Sequence, residues 1–282
     1  MVEERLRGFL KDDIGWGDIT SEALIADDQN AKGRLYFRED GVAAGLDEVA
    51  TIFRSLGCTV NAVVEDGSSV SKNQTLMEIS GPAKALLAGE RTALNILGRM
   101  AGIATIVSKK SAEVSKVNPS TKVAATRKTL PGFGELDKKA VALGGGDTHR
   151  FRLDDCVLIK DNHLALLPSI KAAVKAARDA VSFTKKIEIE IEGLEGAVEA
   201  AEAGADIIMF DNMPPGEIRR CLERLSELGL REGRVYEASG GITPENVGEY
   251  AASGVDIISM GSLTHSARAL DVKLEIEMVK KE

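Results

Sequence analysis

Two stretches of the chain share one pattern: AGADIIMF, residues 203–210, and SGVDIISM, residues 253–260. In each stretch a helical segment ends at a glycine, an aspartate follows, and a short apolar run begins. An apolar run of this length, bounded by turn residues and preceded by a helix, is typical of a buried parallel strand. The repeat therefore predicts strand–helix units whose strands lie side by side in one sheet.

The same pattern extends over the second half of the chain. Alanine-rich segments such as SIKAAVKAARDAV (169–181) and LEGAVEAAEAG (194–204) predict helices between the strands. Strands that alternate with helices favour a parallel sheet covered on both faces, and without an obvious dinucleotide motif we expect a closed barrel rather than an open sheet. The predicted strands are KVAAT (122–126), CVLI (156–159), IEIEI (187–191), DIIMF (206–210), VYEA (235–238) and DIISM (256–260).

The first hundred residues have a different character. Short strand-like runs occur at RLYFRED (34–40), TVNAVVEDG (59–67) and QTLMEIS (74–80), separated by Gly, Asn and Ser. A long helical pattern follows at residues 83–114. This change of pattern predicts a separate, smaller N-terminal domain.

The composition is that of an acidic globular protein, with 282 residues, 44% hydrophobic, 28% charged and a formal net charge of -8. The acidic balance argues against nucleic acid as the main partner. No window approaches the roughly 18 apolar residues of a membrane span, and the charged first residues lack the apolar core of a signal peptide. Cys58, Cys156 and Cys221 are too few and too scattered for a disulfide framework, so we expect a cytoplasmic protein.

Charged side chains and glycines follow the predicted strands. In barrels of parallel strands the chemistry lies at the carboxyl ends of the strands. Polar loops after strands are also ordinary, and that explanation stays open. The residues in question are Arg127 and Lys128, then Lys160, Glu190, Asp211 with Asn212, Ser239 with Gly240 and Gly241, and Gly261 with Ser262.

The glycine-rich turn SGGITPEN (239–246) suggests a phosphate site. Thr243 is a candidate N-cap and Pro244 a candidate first helical residue, so the turn would expose backbone N–H groups at a helix start. Gly261 and Ser262 could complete the site. A tight turn with a good cap explains the sequence equally well.

Alternation in KIEIEIEG (186–193) places Glu188, Glu190 and Glu192 on one face of a strand. Glutamates inside a barrel need partners. Glu190 and Asp211 could hold Mg²⁺ together with the phosphates of a substrate, because Mg²⁺ prefers oxygen ligands. The alternative is a pair of ion-paired carboxylates at the mouth of the barrel.

Cations and histidines concentrate in GGGDTHRFRLDDCVLIKDNH (144–163), which holds two of the three histidines. Arg127, Lys128, Arg150 and Lys160 would converge with His149 if the strands do, and clustered cations require an anion between them. The histidine spacing does not favour a zinc site, and His163 could be a simple loop or core residue. Phosphate, Mg²⁺ and a second polyanion at one mouth suggest transfer of a phosphorylated sugar to an anionic acceptor.

Taken in order, the motifs resemble those of the quinolinate phosphoribosyltransferases over nearly the whole chain. DIGWGDITSEAL (13–24) resembles the N-terminal signature of the family, and ERTALNILGRMAGIAT (90–105) its central helix. The motifs similar to its substrate, phosphate and metal sites are ATRKTLPG (125–132), GGGDTHR (144–150), LIKDNH (158–163), IEIE (187–190), DIIMFDN (206–212), EASGGI (237–242) and ISMGSLTHSA (258–267).

This resemblance implies an α/β protein with an N-terminal α/β sandwich and an incomplete, seven-stranded, TIM-like α/β barrel, active as a homodimer. We place the sandwich at residues 1–104, with 267–282 packed back on it, and the barrel with the active site at 105–266. The implied reaction converts quinolinate and phosphoribosyl pyrophosphate to nicotinate mononucleotide, pyrophosphate and carbon dioxide, with Mg²⁺, in the de novo synthesis of NAD.

The resemblance also implies a role for each site residue. The two carboxylates of quinolinate would be held by Arg127, His149, Arg150, Lys160 and, from the partner subunit, Arg91. The catalytic residues would be Lys128 at the phosphoribosyl pyrophosphate, and Glu190 and Asp211 at the ribose and its Mg²⁺. The phosphate would be bound by Thr126, Lys128, Ser239, Gly240, Gly241, Gly261 and Ser262.

Some positions depart from the pattern, and two rival functions stay open. FGELDKKA (133–140), Asp147 and Arg268 are atypical of the family's loops, and they put loop packing or the dimer rim in doubt. One rival is the molybdenum-transport-associated relative of the family, which would lack the full set of pocket cations. The other is a biotinyl or lipoyl carrier module, suggested by EDGSSVSKNQTLMEISG (65–81), in which Lys72 would have to lie at a hairpin tip.

Overall fold

Residues 2–279 are described by a computed structural model, whose elements divide between two units. The first unit comprises Met1–Ser108, Leu130–Gly145 and Ala267–Glu282, and the second comprises Lys109–Thr129 and Gly146–Ser266. The helices are α1 (Val2–Ile14), α2 (Ile19–Leu24), α3 (Leu46–Ser55), α4 (Ala83–Val117), α5 (Gly134–Leu143), α6 (Asp161–Leu164), α7 (Ile170–Ala180), α8 (Leu194–Glu202), α9 (Pro215–Glu227), α10 (Val247–Ala251) and α11 (Ser262–His265). The strands are β1 (Asn30–Phe37), β2 (Gly41–Val42), β3 (Thr59–Ala62), β4 (Ser69–Val70), β5 (Thr75–Pro82), β6 (Lys122–Ala124), β7 (Val157–Ile159), β8 (Ile187–Ile191), β9 (Ile207–Asp211), β10 (Val235–Ser239), β11 (Ile257–Ser259) and β12 (Val272–Met278).

The first unit is built on an antiparallel sheet with the strand order β12–β1–β5–β3. β1 alternates exposed and buried residues before its last, fully buried part, as expected for a strand with one face on a core. Leu35 and Phe37 of this strand, Phe53 of α3 and Met77 of β5 are fully buried. The last strand of the chain, β12, pairs with β1 from Ala31↔Met278 to Phe37↔Val272.

The second unit contains a parallel sheet with the strand order β6–β11–β10–β9–β8–β7. All of the strands predicted in this half of the chain are present, with ends that differ by at most two residues. Within the described residues β6 and β7 do not pair with each other. Beyond β6, Asp147 forms a single parallel bridge with Ala124, so the seventh strand position is occupied by one bridge rather than a strand. The predicted α/β class is confirmed, as an incomplete rather than a closed arrangement.

The helix expected at Pro244 begins later. Residues 244–246 form a turn, and α10 begins at Val247 after Asn246. The predicted N-cap role of Thr243 is therefore wrong. Its hydroxyl accepts from Glu245 N at 3.3 Å and its own N–H donates to Asn246 Oδ1 at 2.9 Å, so local side-chain bonds compete with the helix.

The atypical segment 133–140 lies in the first unit, although the predicted barrel range 105–266 includes it. Asp137 of α5 is fully buried and receives two hydrogen bonds from Arg99 of α4, each 2.8 Å long. Lys139 contacts Glu48 at 3.0 Å and Asp66 at 3.4 Å. These ion pairs explain why the segment leaves the sheet of the second unit and returns to the first.

Three further expectations have outcomes in the structure. Arg268 forms a two-pronged pair with Glu39, at 2.8 and 2.9 Å. Lys72 lies in a turn between β4 and β5, but these strands pair with different neighbours and make no hairpin, which removes the support for a carrier module. Among the helices of residues 2–279, none has the length and hydropathy needed to span a membrane.

The buried Arg99–Asp137 pair gives a stability prediction. Asp137→Ala removes the carboxylate that Arg99 binds, and breaking a buried pair in this way should lower the free energy of unfolding by about 3–5 kcal/mol. Urea denaturation followed by circular dichroism measures the change. The double variant Arg99→Met with Asp137→Leu should recover most of the loss, since it buries no charge. A loss below about 1 kcal/mol in Asp137→Ala would mean that the pair behaves like a surface salt bridge.

Candidate active site

A cavity of about 490 Å³ opens at the carboxyl ends of the strands of the second unit. Parallel strands bring these ends to one edge, so residues distant in sequence meet there. The cavity contains most of the predicted site residues and several that were not predicted. The lining comprises Thr126, Arg127, Lys128, His149, Arg150, Leu158, Lys160, Asp161, Glu190, Met209, Asp211, Asn212, Glu237, Ser239, Gly240, Gly241 and Ser259.

The cations follow the first strands of the second unit in chain order, β6 and β7, which lie at opposite edges of its sheet. Arg127 and Lys128 follow β6, Arg150 follows the Asp147 bridge, and Lys160 follows β7. The Lys160 ammonium is hydrogen-bonded to Glu190. His163 is exposed, and its Nδ1 accepts from Lys160 N at 2.9 Å. His163 therefore holds the start of α6 and the backbone of Lys160 rather than lying in the cavity.

A glycine turn after β10 brings backbone close to the end of β9. Gly240 has φ 84°, and a Cβ at this position would lie 2.3 Å from Asn212 Oδ1. Asn212 itself has φ 52°, and its N–H donates to Ser239 O at 2.9 Å. Only glycine fits both the conformation and the space at position 240. Ser239, Gly240 and Gly241 thus present backbone to the cavity.

Lys128 is held beside the last loop of the unit. The Thr264 hydroxyl donates to Lys128 O at 2.7 Å, and Lys128 N donates to Thr126 Oγ1 at 3.1 Å. A Cβ on Gly261 would lie 2.8 Å from Lys128 Cδ and 3.1 Å from His265 Cδ2. Gly261 and Ser262 do not line the cavity itself. The third histidine, His265, is next to them and was not predicted, because its immediate neighbours in the sequence are uncharged.

The two predicted metal carboxylates end neighbouring strands. Glu190 lies at the end of β8 and Asp211 at the end of β9. The Glu190 side chain is 12% exposed, and Asp211 Oδ2 accepts from Asn212 Nδ2 at 2.8 Å. Both carboxylates line the cavity, and carboxylate oxygens are suitable ligands for Mg²⁺ that is bound jointly with phosphates.

A buried group of one imidazole and two carboxylates lies at the cavity. His149 Nε2 is 3.2 Å from Glu237 Oε2 and 3.4 Å from Glu188 Oε1. Glu188 is completely buried and Glu237 is 2% exposed. His149 has φ 51°, a conformation that costs a non-glycine residue of order 1–3 kcal/mol. We refer to His149, Glu188 and Glu237 as the histidine cluster.

The histidine cluster retains an additional proton. Desolvation lowers the pKa of His149, but its contacts with Glu188 and Glu237 and their charges outweigh this and raise the pKa to about 10. Burial raises the pKa of Glu188. However, Arg150 N donates to His149 Nδ1 at 2.8 Å, so Nδ1 is an acceptor and carries no proton in this arrangement. A neutral His149 with its proton on Nε2, beside a protonated Glu188, satisfies both observations and has the same total charge.

Two residues differ from the sequence prediction: Arg91 was predicted in the site but does not line this cavity, and Glu237 lines it but was not predicted. Arg91 is exposed on α4 of the first unit and is not among the residues that line this cavity. Glu237 was overlooked because VYEA reads as an ordinary strand. A carboxylate in the middle of a buried strand is itself a signal of a paired or functional group. Asp161 and the buried Ser259 also escaped prediction, and Asn212 was expected at a strand end but was given no role.

Comparison with known proteins gives a consistent family assignment. Residues 18–101 match the family model "Quinolinate phosphoribosyl transferase, N-terminal domain", and residues 103–275 match the C-terminal domain of the same family. The chain is 46% identical to the probable nicotinate-nucleotide pyrophosphorylase (carboxylating) of Methanothermobacter thermautotrophicus over 275 residues, 98% of this chain and 99% of the relative. It is 38% identical to the human nicotinate-nucleotide pyrophosphorylase (carboxylating) over 254 residues, 90% and 85% of the two chains. The crystal structure of NadC from Streptococcus pyogenes covers 99% of this chain and 97% of its own, with a TM-score of 0.92 and 33% identity.

The proton held by the histidine cluster predicts a pH dependence of stability. This proton is shared between His149 and Glu188: despite desolvation, contacts with the two carboxylates raise the pKa of His149 from 6.5 to about 10, and burial raises the pKa of Glu188, so the contribution of the cluster is complete below pH 6.5 and is lost as the pH rises to about 10. Between these limits the free energy of unfolding should fall by at most about 1.4 kcal/mol per pH unit. Urea titrations from pH 6 to 10 measure the slope, with the double variant His149→Gln and Glu188→Gln, which removes both sites for the proton, as the protein in which the slope should flatten. Equal slopes in the two proteins would contradict the assignment.

Proposed function

The chain belongs to the quinolinate phosphoribosyl transferase family, and we propose that it joins quinolinate to the phosphoribosyl group of phosphoribosyl pyrophosphate. The products are nicotinate mononucleotide, pyrophosphate and carbon dioxide, which makes the protein a decarboxylating pentosyltransferase of NAD biosynthesis. The names of its relatives describe the reverse direction, in which the nucleotide, pyrophosphate and carbon dioxide would recombine. One observation carries the proposal: a single cavity combines four cations, four carboxylates, among them Glu190 and Asp211, and a glycine turn that exposes backbone.

The acceptor half of the cavity suits a dianion. Arg127, Arg150 and Lys160 supply positive charge around the space, and His149 lies among them. An arginine fork matches the geometry of a carboxylate, so Arg127, Arg150 and Lys160 would hold the two carboxylates of quinolinate and orient its ring nitrogen. Nicotinate has only one carboxylate and would leave pocket cations unpaired.

The donor half of the cavity suits phosphates and a sugar. Ser239, Gly240 and Gly241 offer backbone and hydroxyl groups to the 5′-phosphate. Lys128, whose backbone N–H donates to the hydroxyl of Thr126, would reach the pyrophosphate. Gly261 permits this position of Lys128, and the buried Ser262 hydroxyl has no hydrogen-bond partner within the described residues.

Glu190 and Asp211 are the residues that would hold Mg²⁺, together with phosphate oxygens of the substrate. When bound, the ion would neutralise negative charge on the departing pyrophosphate. Glu190 is hydrogen-bonded to Lys160 of the acceptor half, so its carboxylate lies at the boundary between the two halves of the cavity and Mg²⁺ would have to share it with the ammonium or displace the ammonium.

The chemistry requires positioning more than proton transfer from the protein. The lone pair of the quinolinate nitrogen forms the bond to C1 of the ribose as the bond to pyrophosphate breaks. The ring then carries a positive charge. The carboxylate next to the nitrogen leaves as carbon dioxide, its bonding electrons stay on the ring carbon, and that carbon takes up one proton. Cavity cations orient the acceptor, and Glu190 and Asp211 face the positive charge that develops on the sugar.

Two further properties belong to the proposal. A homodimer in which Arg91 enters the cavity of the partner subunit is supported by exposed apolar residues of the first unit, Trp16, Ile19 and Leu24, which suit an interface. A reducing, cytoplasmic location is supported by the cysteines, since Cys58, Cys156 and Cys221 are all free.

The direct test is an assay for nicotinate mononucleotide. The protein should form it from quinolinate, phosphoribosyl pyrophosphate and Mg²⁺, with one carbon dioxide per nucleotide, and should lose this activity when a chelator removes the metal. Nicotinate serves as the control acceptor and should react poorly. Chromatography and trapped carbon dioxide provide the two readouts. If phosphoribosyl pyrophosphate binds but no nucleotide forms, the acceptor is a different molecule and the proposal fails.

The role of Arg91 in a dimer predicts complementation between two inactive variants. Arg91→Ala and Glu190→Gln should each be nearly inactive as homodimers, because each removes one component from both sites. Unfolded and refolded together, they form mixed dimers in which one site carries both lesions and the other carries neither, so activity should return. Native mass spectrometry verifies the mixed dimers. If the mixed dimers form and stay inactive, Arg91 does not act across the subunits.

A further inference from the structure

We propose that Glu237 and Glu188 are positioning residues for the acceptor pocket: they hold the His149 ring in place, and the ring in turn fixes the backbone that directs Arg150 into the cavity. This inference rests on the proposed function, since it concerns the binding of quinolinate. It assigns a role to two buried carboxylates that do not belong to the acceptor, phosphate or metal groups described above.

The backbone at His149 does not adopt its conformation without support. Its left-handed φ of 51° is unfavourable for a residue with a side chain. Three contacts hold it: His149 N donates to Asp147 Oδ1 at 2.7 Å, Arg150 N donates to His149 Nδ1 at 2.8 Å, and His149 Nε2 lies 3.2 Å from Glu237 Oε2. Asp147, atypical of the family's loops, therefore contributes to the same turn.

Both ring nitrogens of His149 are engaged by the protein itself. Nδ1 faces the backbone of Arg150, and Nε2 faces the two carboxylates. The ring therefore has no nitrogen left for the acceptor in this arrangement. Its role is to connect the buried carboxylates to the turn that precedes Arg150, whose guanidinium lines the cavity and lies 3.5 Å from Cys156 O.

The burial of the carboxylates supports a functional role. Both oxygens of Glu188 and Oε1 of Glu237 have no hydrogen-bond partner within residues 2–279. Burying carboxylates with so few partners costs stability, and a sheet core filled with apolar side chains would not carry that cost. The arrangement is explained if the carboxylates are needed to hold the ring.

A bound metal ion is the rival explanation. Donor atoms of His149, Glu188 and Glu237 all lie within 4.8 Å of one another, which is the spacing of a possible metal site. A proton on Nε2 explains the same contacts with Glu237, and the N–H of Arg150 already occupies Nδ1. The two explanations differ in whether Nε2 carries a proton.

The experiment uses two variants. Glu237→Leu removes the carboxylate that faces His149 Nε2, and Glu237→Gln keeps an oxygen that can accept a hydrogen bond from the Nε2 proton. Calorimetry should show quinolinate affinity reduced by about tenfold or more in Glu237→Leu, because it removes a group that orients a ligand-binding residue. Glu237→Gln should stay within about fivefold of the parent. Affinity for phosphoribosyl pyrophosphate should change by no more than about twofold in either variant.

Asp256→Asn provides the matched control. Asp256 lies just before β11 and accepts at 2.8 Å from the N–H of Tyr236, the neighbour of Glu237 on β10, so Asp256→Asn tests strand stability without changing the turn. Arg150→Ala gives the loss expected when the guanidinium itself is absent. Equal losses for both substrates in Glu237→Leu, or unchanged quinolinate affinity in a folded Glu237→Leu protein, would overturn the proposal.

Nitrogen NMR of the histidine rings tests the cluster without any substrate. The chain has three histidines, so His163→Gln and His265→Gln assign the His149 signals. In the parent, Nε2 should show a one-bond coupling to hydrogen and Nδ1 should not, and Glu237→Leu should change both signals. An Nε2 without hydrogen that responds to a chelator would mean a metal site and would also overturn the proposal. If the parent fails to bind quinolinate while these signals behave as expected, the proposed function fails and the geometry of the cluster stands.

Discussion

The parallel pairing of the second unit determines where every functional group lies. Glu190 of β8 and Glu237 of β10 both pair in register with Met209 of β9. Since all strands run in one direction, each one ends at the same edge, and the residue after each end faces the same space. A shift of one residue in any strand would turn its inward side chains outward. The geometry of the cavity is therefore a property of strand register before it is a property of any single side chain.

The cavity contains several cations close together, although the protein as a whole is acidic. Cations close to one another repel, and the protein places carboxylates against them. Glu190 accepts a hydrogen bond from the ammonium of Lys160, and the buried Glu237 lies against the ring of His149. Anionic substrates can replace such partners or add to them, so the pocket keeps its positive groups ordered between encounters. The overall charge of -8 therefore says little about the local field that a substrate meets.

Much of the second unit could be predicted because its information is local. The apolar runs mark strands, and their polar ends mark one edge, so Lys160, Glu190 and Asp211 could be brought together from the sequence alone. The failures involve information that is not local. The late start of α10 depends on competing hydrogen bonds of Thr243 and Asn246. The return of α5 to the first unit depends on Arg99, which is 38 residues away from Asp137. The positioning of Arg150 depends on Glu237, 88 residues away from His149.

The pairing of β12 with β1 has a consequence for how the protein is made. Seven residue pairs join residues 31–37 to residues 272–278, so the N-terminal sheet acquires its edge strand only when residues 272–278 have left the ribosome. Until then β1 presents an open edge while the whole second unit is synthesised, a state in which strands can pair with the wrong chain. Contacts between such distant segments also form slowly. Synthesis of the first unit thus begins before that of the second and is completed after it, and β1 is open to wrong pairing during that interval.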